Sequence, residues 1–451
     1  MSDVSRLSLT NQEQTASTRL CLLALSNGHG EDFIAVRILQ ELQQQPNPPE
    51  IFALPLVGEG HAYQKLNIPL IGSVRTMPSG GFIYQDGLQL VRDMRGGLVQ
   101  LTLSQIQAVR SWVTSSHHKR AILAVGDIVP LLFAWLSGAN YAFVGTAKSE
   151  YYVRDEVGLL KRKSPMSARW ENFSGSIYHP WERLLMSNPH CKAVFPRDAL
   201  TTEILQKFSV PAFDLGNPMM DGLESTVGRQ EFYNPNIEKQ ELARPLIITL
   251  LPGSRPPEAY ANWKQIMIAV SALMAFQQRD FSFYSSRTMV FLAAIAPSLH
   301  FDSMRQILQS QGWRTHSPSP IQISDANALT FKQKNAYLIL TQNAYNDCLH
   351  LGDMAIAMAG TATEQFVGLG KPAITIPGSG PQFTPGFAEA QSRHLGQSVI
   401  LVEEAQEVVE AVRSLLANPD RLQVIAENGV RRMGKPGAAR RIAECLMAQL
   451  G

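Results

Sequence analysis

The sequence predicts an α/β protein made of two Rossmann-like halves, each a parallel sheet covered by helices. Three observations predict it. The chain has 451 residues, too many for one compact core, so two domains of roughly 200 residues are expected. Short, continuous apolar runs alternate with amphipathic stretches along its length, the pattern of strands buried on both faces. Several of those runs end in a glycine-bearing turn that opens a helix, and they do so in both halves.

The first series opens with Leu20-Cys21-Leu22-Leu23-Ala24-Leu25, a buried strand. It runs into Ser26-Asn27-Gly28-His29-Gly30-Glu31-Asp32 and then an amphipathic helix from about Phe33 to Gln43. Gly28-x-Gly30-x-x-Phe33 lacks the third small residue of a dinucleotide fingerprint, so an NAD site is a weak match. His29, Glu31 and Asp32 gather titratable groups at a strand's carboxyl end, where ligands bind; a solvated turn is the alternative. Ile51 to Val57 is a second strand. Met77-Pro78-Ser79-Gly80-Gly81 then forms a turn that projects Phe82, Ile83 and Tyr84. In the following helix Val91, Met94, Leu98, Leu101, Ala108 and Trp112 share one face.

Ala121 to Gly126 is a strand that ends at Asp127, a place suited to a general base at a cleft mouth or, equally, to the cap of the next helix. Further strands are expected at Tyr141 to Gly145, Lys192 to Phe195 and Ala212 to Gly216. Gly216-Asn217-Pro218-Met219-Met220-Asp221 closes this half, and Ser225 to Pro245, poor in apolar residues, reads as a linker. The domain reading is therefore a polar tail over 1–18, a first domain over 19–224, a linker over 225–245 and a second domain over 246–435. A last helix over 436–451 is placed to cross back to the first domain.

The second series starts at Leu246 to Leu251 and turns at Pro252-Gly253-Ser254-Arg255-Pro256-Pro257-Glu258, with prolines at the helix start. Gly253 allows close backbone approach, Ser254 offers a hydroxyl, and Arg255 can fork two bonds to a phosphate. Strands are expected at Met289 to Ile295, Ala336 to Leu340, Ala355 to Met358, Ala373 to Ile376 and Val399 to Val402. Gly360-Thr361-Ala362-Thr363 opens a helix that Gly370-Lys371-Pro372 stops. The free N–H groups and positive dipole end of such a helix favour phosphate, whereas Thr361 and Thr363 acting only as caps is the plainer reading.

Composition narrows the function classes. Hydrophobic content is 45% and charged content 17%, below the usual roughly 25%, consistent with a globular chain that keeps an apolar surface against something. Net charge is +2, which argues against a nucleic-acid binder. Between Gly60 and Arg169 stand 13 basic and 6 acidic residues, a surplus of +7 that leaves −5 for the rest. Ordinary solvated helix faces explain this block; an anionic membrane surface is the sharper alternative. The 4 cysteines show no paired spacing, which fits a reducing cytoplasm and no structural zinc. The first 18 residues lack an apolar core, and the uncharged stretch Ile128 to Ala147 is broken by Pro130 and Gly138. The expectation is a cytoplasmic protein, soluble or peripheral on a membrane.

Three motifs then line up in fixed order. Leu250-Leu251-Pro252-Gly253-Ser254-Arg255 resembles the LLPGSR segment of lipid-A-disaccharide synthases, Gly360-Thr361-Ala362-Thr363 their GTAT segment, and Leu215-Gly216-Asn217-Pro218-Met219-Met220-Asp221 their domain-closing VGHP-x-x-D. The likeness spans roughly residues 20 to 445. A looser one is to the cell-wall N-acetylglucosaminyltransferase that acts on a lipid-linked muramoyl pentapeptide. The resemblance implies a GT-B architecture, two Rossmann-like domains with sheets facing across a cleft. It also implies a nucleotide sugar, UDP-linked by family, in the carboxyl-terminal half and a lipid or lipid-linked acceptor in the other.

On that resemblance Gly253, Ser254, Arg255, Gly360, Thr361, Thr363, Glu364, Gln365 and Gln382 would bind the donor. Gln365 stands where the synthases carry a ribose-binding glutamate, with Glu364 one residue earlier. His29, Glu31 and Asp127 are the base candidates, and Gly28, Gly30, Phe82, Ile83 and Tyr84 would face the acceptor or the membrane. No Asp-x-Asp motif occurs, so the resemblance implies metal-independent, inverting transfer with no cofactor, the helix N-termini and Arg255 relieving charge on the leaving diphosphate. A UDP-sugar 2-epimerase on the same fold and a non-catalytic nucleotide- or lipid-binding remnant are the other readings.

Overall fold

The computed structural model describes residues 19–74, 98–115, 119–160, 174–225, 244–279 and 287–451, without the side chains of His29, Leu98, Val99, Gln278 and Arg279. The tail over 1–18, the tip Phe82-Ile83-Tyr84, the basic residues Arg75, Arg92, Arg95 and Lys161 to Lys163, and most of the linker lie outside these. The chain divides into two compact units, one holding residues up to Asp221 and again Lys435–Gly451, the other Gly222–Gly434.

In the first unit five strands form an all-parallel sheet. They are β1 (Cys21–Ser26), β2 (Glu50–Pro55), β3 (Arg120–Gly126), β4 (Asn140–Gly145) and β5 (Cys191–Phe195), in the order β2-β1-β3-β4-β5. The helices are α1 (His29–Gln43), α2 (Leu98–Thr114), α3 (Ile128–Ser137), α4 (Pro180–Met186) and α5 (Ala199–Gln206). Alternate side chains of the strands feed two cores. Leu22, Ala24, Leu123 and Val125 pack against Ile38 and Leu39 of α1, while Leu23, Leu25, Ile122 and Ala124 meet Val109 of α2 and Leu131 of α3. Each leucine, isoleucine or valine among them contributes roughly 1.5–3 kcal/mol when fully buried.

Two expectations are corrected here. Helix α1 starts at His29, four residues earlier than read from the sequence. Glu31 and Asp32 in its first turn suit the positive helix end, so the glycine-rich stretch is helix start as well as turn. Ala212 to Gly216 is not a strand but one bridge, Val194↔Ala212, and the chain turns away at Gly216 with φ +84°.

In the second unit eight strands form one sheet. They are β6 (Leu246–Leu251), β7 (Met289–Ala294), β8 (Arg314–Thr315), β9 (Leu329–Gln333), β10 (Ala336–Thr341), β11 (Met354–Ala357), β12 (Ala373–Thr375) and β13 (Val399–Leu401), in the order β13-β12-β11-β6-β7-β10-β9-β8. Six of them are parallel; β8 and β9 add an antiparallel edge that the sequence reading missed. Lys334, with φ +53°, makes the tight turn from β9 into β10. Helices α6 (Glu258–Arg279), α7 (Phe301–Ser310), α8 (Tyr345–Leu351), α9 (Thr361–Gly368), α10 (Pro385–Leu395), α11 (Val408–Leu416) and α12 (Pro419–Met433) complete this unit.

The last helix, α13 (Ala438–Leu450), belongs to the first unit. Its Ile442, Leu446 and Leu450 share a core with Ile38, Leu39 and Leu42 of α1. The Asp221 carboxylate fixes its start by accepting from the N–H groups of Gly437 at 2.5 Å, Ala438 at 3.1 Å and Ala439 at 2.7 Å.

Candidate functional site

Strand order reverses between β1 and β3 in the first unit, so the loops leaving these strands diverge to opposite faces and open a crevice at their carboxyl ends. The titratable groups gather there. Asn27, just past β1, donates from Nδ2 to Asp127 Oδ1 at 2.7 Å. The same oxygen accepts the Val129 N–H at 2.8 Å, so Asp127 does cap α3. Among the described residues no bond reaches its other oxygen, which leaves capping and proton acceptance compatible.

Glu31, in the first turn of α1, accepts from the Thr146 hydroxyl at 3.4 Å, one residue beyond β4. Gly28 makes room for it, because a Cβ there would lie 2.5 Å from Glu31 Oε2. Gly30 is exposed at the helix start. Lys148 Nζ pairs with Glu182 Oε2 of α4 at 2.6 Å and flanks the same crevice. Thr146, Arg197 and Asn217 line a small cavity beside it with Ile34, Phe195 and Met219.

Burial raises the Asp127 carboxyl above its ordinary value. Glu182 raises it further, while the bonds from Val129 and Asn27 and the charge of Lys148 oppose the rise. Burial likewise raises Glu31, with repulsion from Asp127 adding and Arg197 opposing. Two carboxylates kept partly desolvated and near one another are the expected setting for proton transfer. Asp32 lies below the crevice, bonded to the Ser26 hydroxyl at 2.5 Å, which in turn meets the Tyr63 hydroxyl at 2.6 Å. Burial pushes Asp32 up to about 6. Buried in the first turn of α1 and bonded to the last residue of β1, it serves packing.

In the second unit the order reverses between β6 and β11. Gly253, with φ +94°, carries the turn after β6 so close to β11 that a Cβ would lie 3.3 Å from the Met358 carbonyl oxygen. Asn262 of α6 ties the two ends together, donating from Nδ2 to Pro252 O at 3.1 Å and Met358 O at 3.3 Å. Ser254 and Arg255 stand exposed on this turn beside Gly360, the N-cap of α9, and the exposed Thr361. Gln391 of α10 holds the cap by donating to Ala359 O at 3.2 Å and Gly360 O at 3.1 Å. Glycine, hydroxyls, an arginine and the first-turn amides of a helix at one switch point form an anion-binding constellation.

Other candidates from the sequence fall below that surface. Thr363 is fully buried and its hydroxyl donates to Ala359 O at 2.6 Å, so it braces the turn. Gln365 Oε1 accepts from the Tyr345 hydroxyl at 2.6 Å, and Glu364 lies buried 3.5 Å from His394 Nδ1. Gln382 belongs to a loop whose backbone is held by Glu258, through bonds to the N–H groups of Gln382 at 3.3 Å and Phe383 at 2.6 Å. Sequence reasoning missed Asn27, Thr146, Lys148, Glu182, Glu258 and Gln391 as members of the two sites. Asn27, Thr146 and Lys148 could have been found as polar residues just after strands; Glu182, Glu258 and Gln391 are brought in by helices. Among the described residues no group of three His, Cys, Asp or Glu side chains is placed to hold a metal ion.

Comparison with solved structures places this architecture. The chain resembles CalG4, the calicheamicin glycosyltransferase, with a TM-score of 0.55 at 11% identity over 96% of this chain and 98% of that one. It resembles MurG of Acinetobacter baumannii with a TM-score of 0.52 at 13% identity over 96% of this chain. A Listeria monocytogenes protein described as a UDP-N-acetylglucosamine 2-epimerase gives 0.53 at 13% identity, over 96% of both chains. The fold is GT-B-like. No protein-family model and no curated protein matches the chain. Solved proteins described as glycosyltransferases and as epimerases share this fold, so the likeness defines the scaffold alone.

Proposed function

We propose that this protein is a glycosyltransferase that moves a sugar from a UDP-linked donor to a lipid or lipid-linked acceptor, with inversion and without a metal. The observation that carries the proposal is the pair of switch-point sites. One holds Gly253, Ser254, Arg255, Gly360 and the α9 amides, suited to a diphosphate. The other holds Asp127 and Glu31, suited to deprotonating an acceptor hydroxyl.

In this reading the donor diphosphate rests on the turn after β6 and on the start of α9, where N–H dipoles and the Arg255 guanidinium offset its growing charge as the glycosidic bond breaks. Asp127, its carboxyl raised above the ordinary value by burial, takes the proton of the attacking hydroxyl. Glu31 and Lys148 set the field around it. The lipid acceptor rests on the resemblance of the three motifs to lipid-A-disaccharide synthases, which makes the protein a relative of those enzymes in this reading.

The fold likeness to the Listeria protein supports epimerisation as the second reading. One experiment separates the two. The protein is incubated with UDP-GlcNAc alone and then with lipid extracts added. Release of UDP only with lipid, together with a glycosylated lipid in the mass spectrum, supports transfer. Conversion of UDP-GlcNAc to its 2-epimer without any acceptor overturns it.

A further inference from the structure

Two turns of the second unit share a sequence. Pro252-Gly253-Ser254 follows β6, and Pro377-Gly378-Ser379 follows β12 by one residue. Strand β11 lies between β6 and β12 and runs parallel to both, so the two turns leave the sheet on either side of the start of α9. The first turn belongs to the anion-binding constellation described above. The second opens a loop over 377–384 in which Ser379 is exposed and Gln382 half-buried, while Gly378 and Phe383 are buried.

Helix α6 holds this loop. Glu258, in its first turn and three residues beyond Arg255, is buried and accepts on Oε1 from the N–H groups of Gln382 at 3.3 Å and Phe383 at 2.6 Å. The backbone of Gly380 lies against the same side chain, and a Cβ there would run into its Cγ, Cδ and Oε1. One turn further along α6, Asn262 braces the first turn and the end of β11 through Pro252 O and Met358 O. Its Oδ1 would lie 3.2 Å from a Cβ at Gly378. The loop then enters α10 at the N-cap Thr384, and Gln391 of that helix holds the cap of α9. One face of α6 thus gathers both turns around the helix start between them.

A carboxylate beside a phosphate site weakens anion binding by repulsion unless it is engaged elsewhere. Glu258 is engaged by two amides, its charge makes those bonds stronger than a neutral acceptor would, and the positive end of α6 stabilises it. We propose that Glu258 is a positioning residue for the donor. With Gly380 it fixes the second turn so that Ser379 and Gln382 meet the part of the donor beyond the diphosphate, opposite the first turn. The inference rests on the donor-site reading above and holds for transfer and epimerisation alike.

The test compares UDP with UDP-GlcNAc by calorimetry on the full chain, and the native protein is expected to bind both. Glu258→Ala should weaken UDP-GlcNAc at least about tenfold and UDP less than about twofold, because the diphosphate keeps the turn after β6 and the start of α9. Glu258→Gln retains an oxygen for the two amides and should recover most of the loss. Gly380→Ala should reproduce the selective loss alone and add nothing in the Glu258→Ala background, where the side chain it meets is gone. Circular dichroism checks the fold of each variant; should Glu258→Ala misfold, Gly380→Ala decides by the same selective loss. Losses that are equal for the two nucleotides, or absent, overturn the inference, as do additive losses in the double variant. So does a native protein that binds UDP and not UDP-GlcNAc. A native protein that binds neither overturns the proposed function, and the inference falls with it.

Discussion

Asn27 Nδ2 and Asp127 Oδ1, 100 residues apart in the chain, meet at 2.7 Å. The bond joins the loop after β1 to the loop after β3, across the point where the strand order of the first unit reverses. Gly126 is what lets the two loops approach, since with φ +139° a Cβ at this position would run into Asn27 Oδ1. The glycine, the amide and the carboxylate therefore act as one unit, and each can be tested.

Asp127→Asn keeps an oxygen to accept from Val129 and so preserves the cap of α3. Turnover should fall by roughly 10²–10⁴-fold if Asp127 is the base, with UDP affinity unchanged. Steady-state kinetics beside calorimetry checks this, and near-normal turnover would transfer the role to Glu31.

Asn27→Ala removes a bond that favours the charged form of Asp127. The Asp127 carboxyl should then rise further, so the acid limb of the kcat/KM profile moves to higher pH. A limb that stays in place, or moves down, would separate this bond from the chemistry.

Arg255→Ala should weaken UDP binding by about 1.5–3 kcal/mol, the range for a hydrogen bond to a charged group. The side chain is exposed, so the fold should be unaffected. Calorimetry on the folded variant decides, and unchanged affinity would remove Arg255 from the donor site.

Asp32 makes a stability prediction with a definite sign. Its folded value is about 6 against an ordinary 3.8, so between these values the folded state binds more protons than the unfolded one. Stability from this group is present at low pH and is lost as pH rises through that window, on the order of 2–3 kcal/mol in all. Asp32→Asn should therefore raise the melting temperature at pH 7 and change it little at pH 4. Equal shifts at both values would mean that Asp32 is not protonated in the folded state at low pH.

Activity should persist in EDTA. A full loss on chelation that magnesium or manganese restores would require a metal on the diphosphate and would revise the donor site.

Much of the fold is legible because a strand buried on both faces must be apolar at every position. Cys21–Ser26, Leu246–Leu251 and Met289–Ala294 could be read directly for that reason. Leu329–Gln333 escaped because it holds Thr330, Lys332 and Gln333 among five residues and only Thr330 and Phe331 are buried, so it shows no continuous apolar run. Ala212 to Gly216 misled for the converse reason, a short apolar run that meets β5 at a single bridge. In the sites, Asp127, Glu31, Gly253 and Gly360 were visible because turns after strands have local signatures. That Thr363 and Gln365 are buried was not legible, because a helix start shows which residues are polar and not which of them the turn turns inward.

The sequence by itself determined the strands, the turns that follow them and the caps of the helices, since all of these depend on neighbours a few residues away. Only the tertiary structure decided that Asn27 meets Asp127, that Thr146 meets Glu31, and that Lys148 meets Glu182. Those pairs depend on strand order and register, which are set by burial summed over the whole core and leave no mark at any one position. The same holds for α3. Its sequence is that of a core helix, and whether Trp135 and Leu132 touch protein or the outside depends on which neighbours fill the space around it.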